Sequence, residues 1–264
     1  MQKQHHTPSV LITGCGKGGI GHALAIEFQQ KGHTIFATLL SHEPPDHLTE
    51  TGITAVSADV TSDEDVQLLR YTMMAIDTDV REAEKMFAVN VVGPMRMVHL
   101  FHPLLIRAQG KVVNIGSVGG IVPYVYGSSY NATKAALHHW GNTLRVELKP
   151  FGVDVVNIIS GEIGTNILKR DRGRQLPKDS FYAPLAKYST EFNSGWPDRV
   201  RKETTPPAEY ARAVVAEGTK QRPRSWFWTG ATTSLVWFGD TFLPRWIWDW
   251  LFMREFQLNR LSRT

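Results

Sequence analysis

The sequence predicts an α/β fold in which a doubly wound, mostly parallel sheet is covered by helices on both faces. Short apolar runs such as SVLITG, HTIFATLL and ITAVSADV alternate with longer amphipathic segments such as HALAIEFQQKG. That alternation is typical of a strand, a crossover helix and a parallel strand. Further along, KVVNIGS and VDVVNIIS indicate strands, and NATKAALHHWGNTLRVELKPFG indicates a helix ended by Pro150 and Gly152.

The bulk composition favours one soluble domain in a reducing compartment. The 264 residues are 42% hydrophobic and 20% charged, which suits a packed globular fold. Cys15 is the only cysteine, and the first ten residues lack the apolar segment of a secretory signal, so we expect a cytoplasmic protein. We expect no nucleic-acid partner, because the formal net charge of +4 comes without a nucleic-acid-binding motif. We also expect no metal site.

The stretch TGCGKGGIGHALAIEF places five glycines between an apolar run and a helical pattern. Gly14, Gly18 and Gly21 occupy the strand-to-helix turn of a Rossmann-like fold, where a missing Cβ lets the backbone approach a pyrophosphate. The helix that begins near Ile20 would direct its free N–H groups at the phosphates. A tight turn without any ligand explains the same glycines, so the motif alone is weak.

Charge near the loop favours NADP(H) as the cofactor. The second strand ends at Leu39 and Leu40 rather than at the carboxylate that would accept the ribose 2′-OH of NAD. Lys17, inside the glycine loop, is placed to pair with a 2′-phosphate. A solvated loop lysine is the alternative for that residue.

A second informative stretch is NIGSVGGIVPYVYGSSYNATKAAL. Tyr130 and Lys134 are four positions apart and share one helix face, where an ammonium stabilises a phenolate and makes it a usable acid and base. Ser117, after the preceding strand, would hold a substrate carbonyl. Asn90, inside a helix, would hold a water behind Lys134.

These residues together resemble the short-chain dehydrogenase/reductases. The resemblance implies a catalytic tetrad of Asn90, Ser117, Tyr130 and Lys134. It also implies that Asp59 contacts adenine and that Thr165, in SGEIGTNI, lies near the nicotinamide amide. The resulting cofactor-binding set is Gly14, Lys17, Gly18, Ile20, Gly21, Asp59, Tyr130, Lys134, Ile163 and Thr165.

Within that family, VNIGSVGGIVPY and the tail LVWFGDTFLPRWIWDWL resemble fungal 1-acyldihydroxyacetone-phosphate reductases and secondary-metabolite reductases. The implied reaction is NADPH-dependent reduction of a ketone to a secondary alcohol, on a lipid-like or polyketide- or terpenoid-type substrate. Homo-oligomers are also implied.

The chain departs from the family between Asp59 and Asn90. No Asn-Asn-Ala-Gly motif is present, and the interval is shorter than in family members. The missing residues would form the end of one helix and one central strand. LLRYTMMAI would serve as a substitute strand; a skipped exon or a faulty gene model explains the gap equally well. The rival function is an inactive relative that binds a membrane surface or a partner.

We expect the reductase domain to span residues 1–225, with a substrate loop at residues 166–207 that carries five basic residues, and a Trp-rich extension at residues 226–264. The basic residues are Lys169, Arg170, Arg172, Arg174 and Lys178. They would attract a phosphate-bearing substrate or simply be solvated.

The Trp-rich extension lacks the roughly 18 to 20 uninterrupted apolar residues of a spanning helix. We expect the extension to contact a membrane surface, such as the endoplasmic reticulum or a lipid droplet. The alternative is that it packs on its own domain or on a second subunit.

Overall fold

The computed structural model describes residues 7–59, 74–165, 176–177, 179–185 and 204–261, and in them strands alternate with helices. The strands are β1 (Ser9–Ile12), β2 (Thr34–Leu39), β3 (Thr54–Ser57), β4 (Lys111–Ile115), β5 (Asp154–Ser160) and β6 (Trp226–Thr229). The helices are α1 (Ile20–Gln30), α2 (Asp46–Thr49), α3 (Val80–Phe87), α4 (Gly93–Ala108), α5 (Ser128–Leu148), α6 (Pro207–Gly218), α7 (Thr233–Phe242) and α8 (Trp246–Glu255). The predicted α/β fold is confirmed.

The described strands form two parallel sheets of three strands each, with the orders β1-β2-β3 and β4-β5-β6. Ile12 lies opposite Ala37 in the first sheet, and Ile158 lies opposite Phe227 in the second. Among the described residues no strand pairs with the other side of β1 or of β4. Within that part of the chain, each of these two strands is therefore paired along one side only. Most of the substitute strand LLRYTMMAI lies outside the described residues.

One hydrophobic core nevertheless joins the two sheets. Ile12 and Ala37 of the first sheet belong to the same buried cluster as Ile158 of the second sheet and Val214 of α6. On the opposite face of the first sheet, Leu11 and the other apolar side chains are about two-fifths exposed, because the described residues leave that face uncovered. Burial on one face is thus what holds the two halves together.

The helix predicted from NATKAALHHWGNTLRVELKPFG forms as α5 and ends close to the predicted position. A 3-10 turn, Lys149–Phe151, follows it, and Gly152 adopts a positive φ of 73°. That left-handed conformation suits glycine because a Cβ would be strained there. α5 is the helix that carries Tyr130 and Lys134.

The residues predicted as a Trp-rich extension begin inside the second sheet, since β6 contains Trp226 and Trp228. The two helices that follow pack on the domain through Trp248, which is buried in a cluster with Val122 and Val236. Phe252 and Phe256 make edge-on contacts with Tyr124. No helix in the described part of the chain is long and apolar enough to cross a bilayer.

Candidate active site

The carboxyl end of β4 is the point at which the predicted catalytic side chains meet. Lys134, on α5, donates a hydrogen bond from Nζ to the carbonyl oxygen of Ile115 at 3.0 Å. The same Nζ lies 5.5 Å from the centroid of the Tyr130 ring. Because a residue of β4 fixes the lysine, the ammonium is held beside the phenol ring rather than extended into solvent.

Gly119 brings Tyr130 and Ser117 to one place. A Cβ on Gly119 would lie 3.3 Å from Cε1 of Tyr130, 3.4 Å from Oγ of Ser117 and 2.8 Å from Oδ1 of Asn131. The Ser117 hydroxyl also accepts a hydrogen bond from the Gly119 N–H at 3.1 Å. The serine hydroxyl and the phenol ring can approach each other only because position 119 has no side chain.

Asn90 lies in a π-helical turn, Ala88–Val92, between α3 and α4. Such turns interrupt regular helices and are frequent at functional sites. Nδ2 of Asn90 donates to Oγ1 of Thr133 at 3.0 Å, and that hydroxyl donates to the carbonyl oxygen of Tyr130 at 2.7 Å. Asn90 is thereby linked to the helix turn that carries Tyr130, and Thr133 is a member of the site that the sequence reasoning missed.

His138 is a second residue that was missed. Nε2 of its ring accepts a hydrogen bond from the Ser117 N–H at 3.2 Å. Burial, with a smaller contribution from the positive charge of Lys134, lowers the pKa of His138 to about 4. Tyr130, Lys134 and His138 follow one another at intervals of four residues, about one helical turn. This spacing is the sequence signal that places His138 on the same helix face.

The glycine loop after β1 fits a pyrophosphate. Gly14 and Gly18 have positive φ angles of 69° and 76°, and a Cβ on Gly21 would overlap the carbonyl group of Gly14. A Cβ on Gly14 would meet no atom within 4 Å, so there is open space beside the loop. No side chain caps α1 at Gly19, which leaves the N–H groups of the first turn to face an anion.

The other residues of the predicted cofactor set follow the carboxyl ends of strands, which is where α/β proteins bind ligands. Ile20 is the first residue of α1, and Asp59 lies exposed after β3. Ile163 is buried and bridges to Thr205, and Thr165 is buried two residues further on. The basic residues of the substrate loop, from Lys169 to Lys178, lie outside the described residues.

One expectation about charge needs correction. The strand itself ends without a carboxylate, but the turn after β2 folds Glu43 back against the glycine loop. Oε2 of Glu43 accepts the Leu40 N–H at 3.2 Å, and Oε1 lies 2.6 Å from the position that a Cβ on Gly16 would take. A search three residues beyond Leu40 would have found this acidic residue.

Among the described residues, no group of three or more His, Cys, Asp or Glu side chains lies close enough together to hold a metal ion. Burial raises the pKa of the Cys15 thiol to about 12, so this cysteine is a packing residue. The site thus consists of a glycine loop with room for a phosphate and a polar cluster at the end of β4. The class that this fold and site define is that of α/β oxidoreductases that act with a dinucleotide.

Comparison with known proteins gives the family. A model of the short chain dehydrogenases matches residues 69–175. The short-chain dehydrogenase anuB of Penicillium roqueforti is 55% identical, over 92% of this chain and 90% of its own length. The NADPH-dependent 1-acyldihydroxyacetone phosphate reductase of Schizosaccharomyces pombe is 38% identical, over 69% of this chain and 70% of its own. The chain belongs to the short-chain dehydrogenase/reductase family of oxidoreductases.

A solved structure supports the fold. The short-chain dehydrogenase from Streptomyces avermitilis superposes with a TM-score of 0.72 and covers 98% of each chain at 22% identity. The alignment with the Penicillium roqueforti protein spans 263 positions although it takes in only 92% of the 264 residues here. That relative therefore has residues with no counterpart in this chain.

Proposed function

We propose that this protein is an NADPH-dependent reductase that converts a ketone into a secondary alcohol. The observation that carries the proposal is the meeting of Ser117, Tyr130 and Lys134 at the end of β4, with Lys134 fixed on Ile115 and the phenol ring beside Ser117. Neither a packing role nor a solvated surface requires these three side chains at one place.

In the proposed reaction the bound nicotinamide supplies the hydride. Ser117 and Tyr130 hold the carbonyl oxygen, and Tyr130 donates the proton to the oxygen as it becomes an alcohol. The nearby ammonium of Lys134 stabilises the phenolate that remains. Lys134 then returns a proton to Tyr130 and is reprotonated from solvent through a water that Asn90 would hold. Thr133 keeps Asn90 next to that helix turn.

The preference for NADPH rests on Lys17 in the glycine loop and on the cofactor in the name of the Schizosaccharomyces pombe relative. Two histidines, His22 and His47, lie near Lys17. The His22 and His47 rings meet edge to face at 4.8 Å, and burial, the His47 charge and the Lys17 charge together lower the pKa of His22. A 2′-phosphate would relieve the repulsion among these groups.

Tyr130→Phe and Lys134→Met test the reaction. With NADPH and a panel of acyl ketones and polyketide-type ketones, we expect each to lower kcat by at least about a hundredfold. Both should keep a melting temperature close to that of the wild type, so that a loss of activity is not a loss of folding. Lys149→Met, at an exposed position just after the same helix, is the matched control and should keep full activity. Wild-type rates equal to those of Tyr130→Phe would end the proposal.

We propose an apolar, lipid-like or polyketide- or terpenoid-type substrate, and we propose residues 166–207 as the substrate loop. The described part of that segment is anchored: Ser180 donates from Oγ to Oδ2 of Asp77 at 2.7 Å, and Leu185 is buried. This hydrogen bond attaches the described residues 179–185 to the segment just before α3. Asp77→Ala should then raise the KM for the ketone and leave the affinity for NADPH unchanged.

A second candidate function is that of an inactive relative which binds a membrane surface or a partner. Among the described residues β1 and β4 are each paired along one side only. This favours the second function, because β1 leads directly into the glycine loop. Titration of NADPH, followed by tryptophan emission, separates the two functions. Binding in the micromolar range supports the reductase, and no binding up to millimolar nucleotide supports the inactive relative.

We propose that the α7–α8 pair contacts a lipid surface, such as the endoplasmic reticulum or a lipid droplet, from the cytoplasmic side. Leu235, Phe238 and Phe242 share one face of α7, and Trp246 and Trp250 share one face of α8; Phe242 and Trp246 are 61% and 63% exposed. Arg254 lies over the Trp250 ring, with its Cζ atom 5.6 Å from the ring centroid. Aromatic rings next to cations suit the headgroup region of an anionic membrane.

Sedimentation with vesicles that contain anionic phospholipid tests this contact. The wild type should co-sediment, and replacement of both Trp246 and Trp250 by Ser should abolish binding. Phe151→Ser removes an exposed aromatic residue outside the pair and should leave binding intact. Equal binding by all three proteins would contradict the proposal.

Homo-oligomers are also proposed. Leu100 and Leu104 share one face of α4 and, like Val146 on α5, are more than half exposed, which leaves apolar area that a second subunit could cover. Light scattering after gel filtration should give a mass above 29.7 kDa. Leu100→Lys should shift the protein toward that monomer mass.

A further inference from the structure

Glu43 closes the turn that follows β2. Its N–H donates to the Leu40 carbonyl oxygen at 3.0 Å, and its carboxylate accepts the Leu40 N–H at 3.2 Å. These reciprocal bonds fix the side chain, which is half-buried. The sequence provides no acidic residue at the end of the strand itself, but the turn returns one to that position.

The carboxylate reaches across to the glycine loop. Oε1 lies 2.6 Å from the place that a Cβ on Gly16 would occupy, so only glycine there leaves room for it. The negative charge of Glu43 also contributes, after burial, to the raised pKa of Cys15, its neighbour in the loop. Glu43 therefore lies between the end of β2 and the glycine loop.

The two sides of this junction are tied together. The Cys15 N–H donates to the Thr38 carbonyl oxygen at 2.9 Å, which joins the loop to β2. His47 spans the loop and the turn: Nε2 lies 2.9 Å from the Cys15 carbonyl oxygen, and Nδ1 lies 3.1 Å from the Pro44 carbonyl oxygen. The position of the Glu43 carboxylate is thus set by several bonds.

In dinucleotide-binding α/β proteins the adenosine ribose lies between the glycine loop and the end of the second strand. A carboxylate there accepts a hydrogen bond from a ribose 2′-OH, and it repels a 2′-phosphate. We propose that Glu43 sets the choice between the two nicotinamide nucleotides. It favours NADH and opposes the preference for NADPH that Lys17 confers. This inference rests on the proposed reductase function.

The test compares dissociation constants for NADPH and NADH, measured from nucleotide fluorescence and from the shift in melting temperature. Glu43→Gln keeps an acceptor for the Leu40 N–H and removes the charge. It should raise the ratio of NADPH affinity to NADH affinity about tenfold. Glu43→Asp keeps the charge but shortens the side chain, and its ratio should lie between those of Glu43→Gln and the wild type.

Glu50→Gln, an exposed carboxylate just after α2, is the matched control and should leave the ratio unchanged. A Glu43→Gln ratio within twofold of the wild type, in a protein that binds both nucleotides, overturns this inference and leaves the reductase proposal intact. Failure of the wild type to bind either nucleotide overturns both.

Discussion

Nε2 of His138 accepts the Ser117 N–H at 3.2 Å, so a buried imidazole on α5 fixes the backbone of the serine at the end of β4. A backbone N–H can only donate, so this nitrogen carries no proton and the proton of the neutral ring is on Nδ1. Nδ1 is buried and has no hydrogen-bond partner among the described residues. The ring thus positions Ser117 at the cost of one unsatisfied polar atom.

His138→Phe should destabilise the protein and slow catalysis. The substitution leaves the Ser117 N–H buried without an acceptor, which costs about 1–3 kcal/mol of unfolding free energy. Ser117 also loses its fixed position, so we expect kcat to fall more than the affinity for NADPH. His138→Gln, which retains an acceptor, should recover much of kcat; identical kcat values for the two variants would show that the hydrogen bond has no positioning role.

The depressed pKa of His138 predicts a pH dependence of stability. The pKa is about 4 in the folded protein and 6.5 ordinarily, so the unfolded chain binds a proton first as the pH falls. The contribution of His138 to the free energy of unfolding is complete above pH 6.5. About 3 kcal/mol of it is lost as the pH falls from 6.5 to 4. Urea unfolding across this range should show a steeper loss for the wild type than for His138→Gln. Parallel curves would contradict the prediction.

Thr133→Val should break the link between Asn90 and Tyr130. Valine has nearly the same shape as threonine, so the change removes the hydroxyl that accepts from Asn90 and donates to Tyr130. We expect a loss of about 1–3 kcal/mol of unfolding free energy, together with a lower kcat. Thr143→Val, at an exposed position of the same helix, is the control and should change neither quantity.

Gly119→Ala should separate Tyr130 from Ser117. The new Cβ would meet Asn131 Oδ1 at 2.8 Å, and it would press on both reacting side chains. We expect kcat to fall about tenfold or more while the dissociation constant of NADPH stays the same. Gly218→Ala, whose Cβ would lie 3.8 Å from Val113, fits without strain and should behave as the wild type.

Hydrogen exchange tests the open edges of the two sheets. β2 and β5 are paired on both sides, whereas β1 and β4 are paired on one side among the described residues. Exchange resolved to single residues should therefore show less protection in β1 and β4 than in β2 and β5. Equal protection of β1 and β2 would mean that another segment covers the edge of β1.

The sequence by itself determined the features that depend on neighbours along the chain. Alternating apolar runs predicted the strands and helices, the glycines predicted the tight turn after β1, and the four-residue spacing placed Tyr130 and Lys134 on one face. Each of these follows from backbone geometry within a few residues.

Only the tertiary structure decided which distant groups meet. Asn90 contacts Thr133 across 43 positions of sequence, and His138 reaches Ser117 because α5 packs against the end of β4. Glu43 faces Gly16 because the turn after β2 folds back on the glycine loop. Such contacts depend on how elements pack, and packing is set by burial over the whole core, which no local pattern specifies.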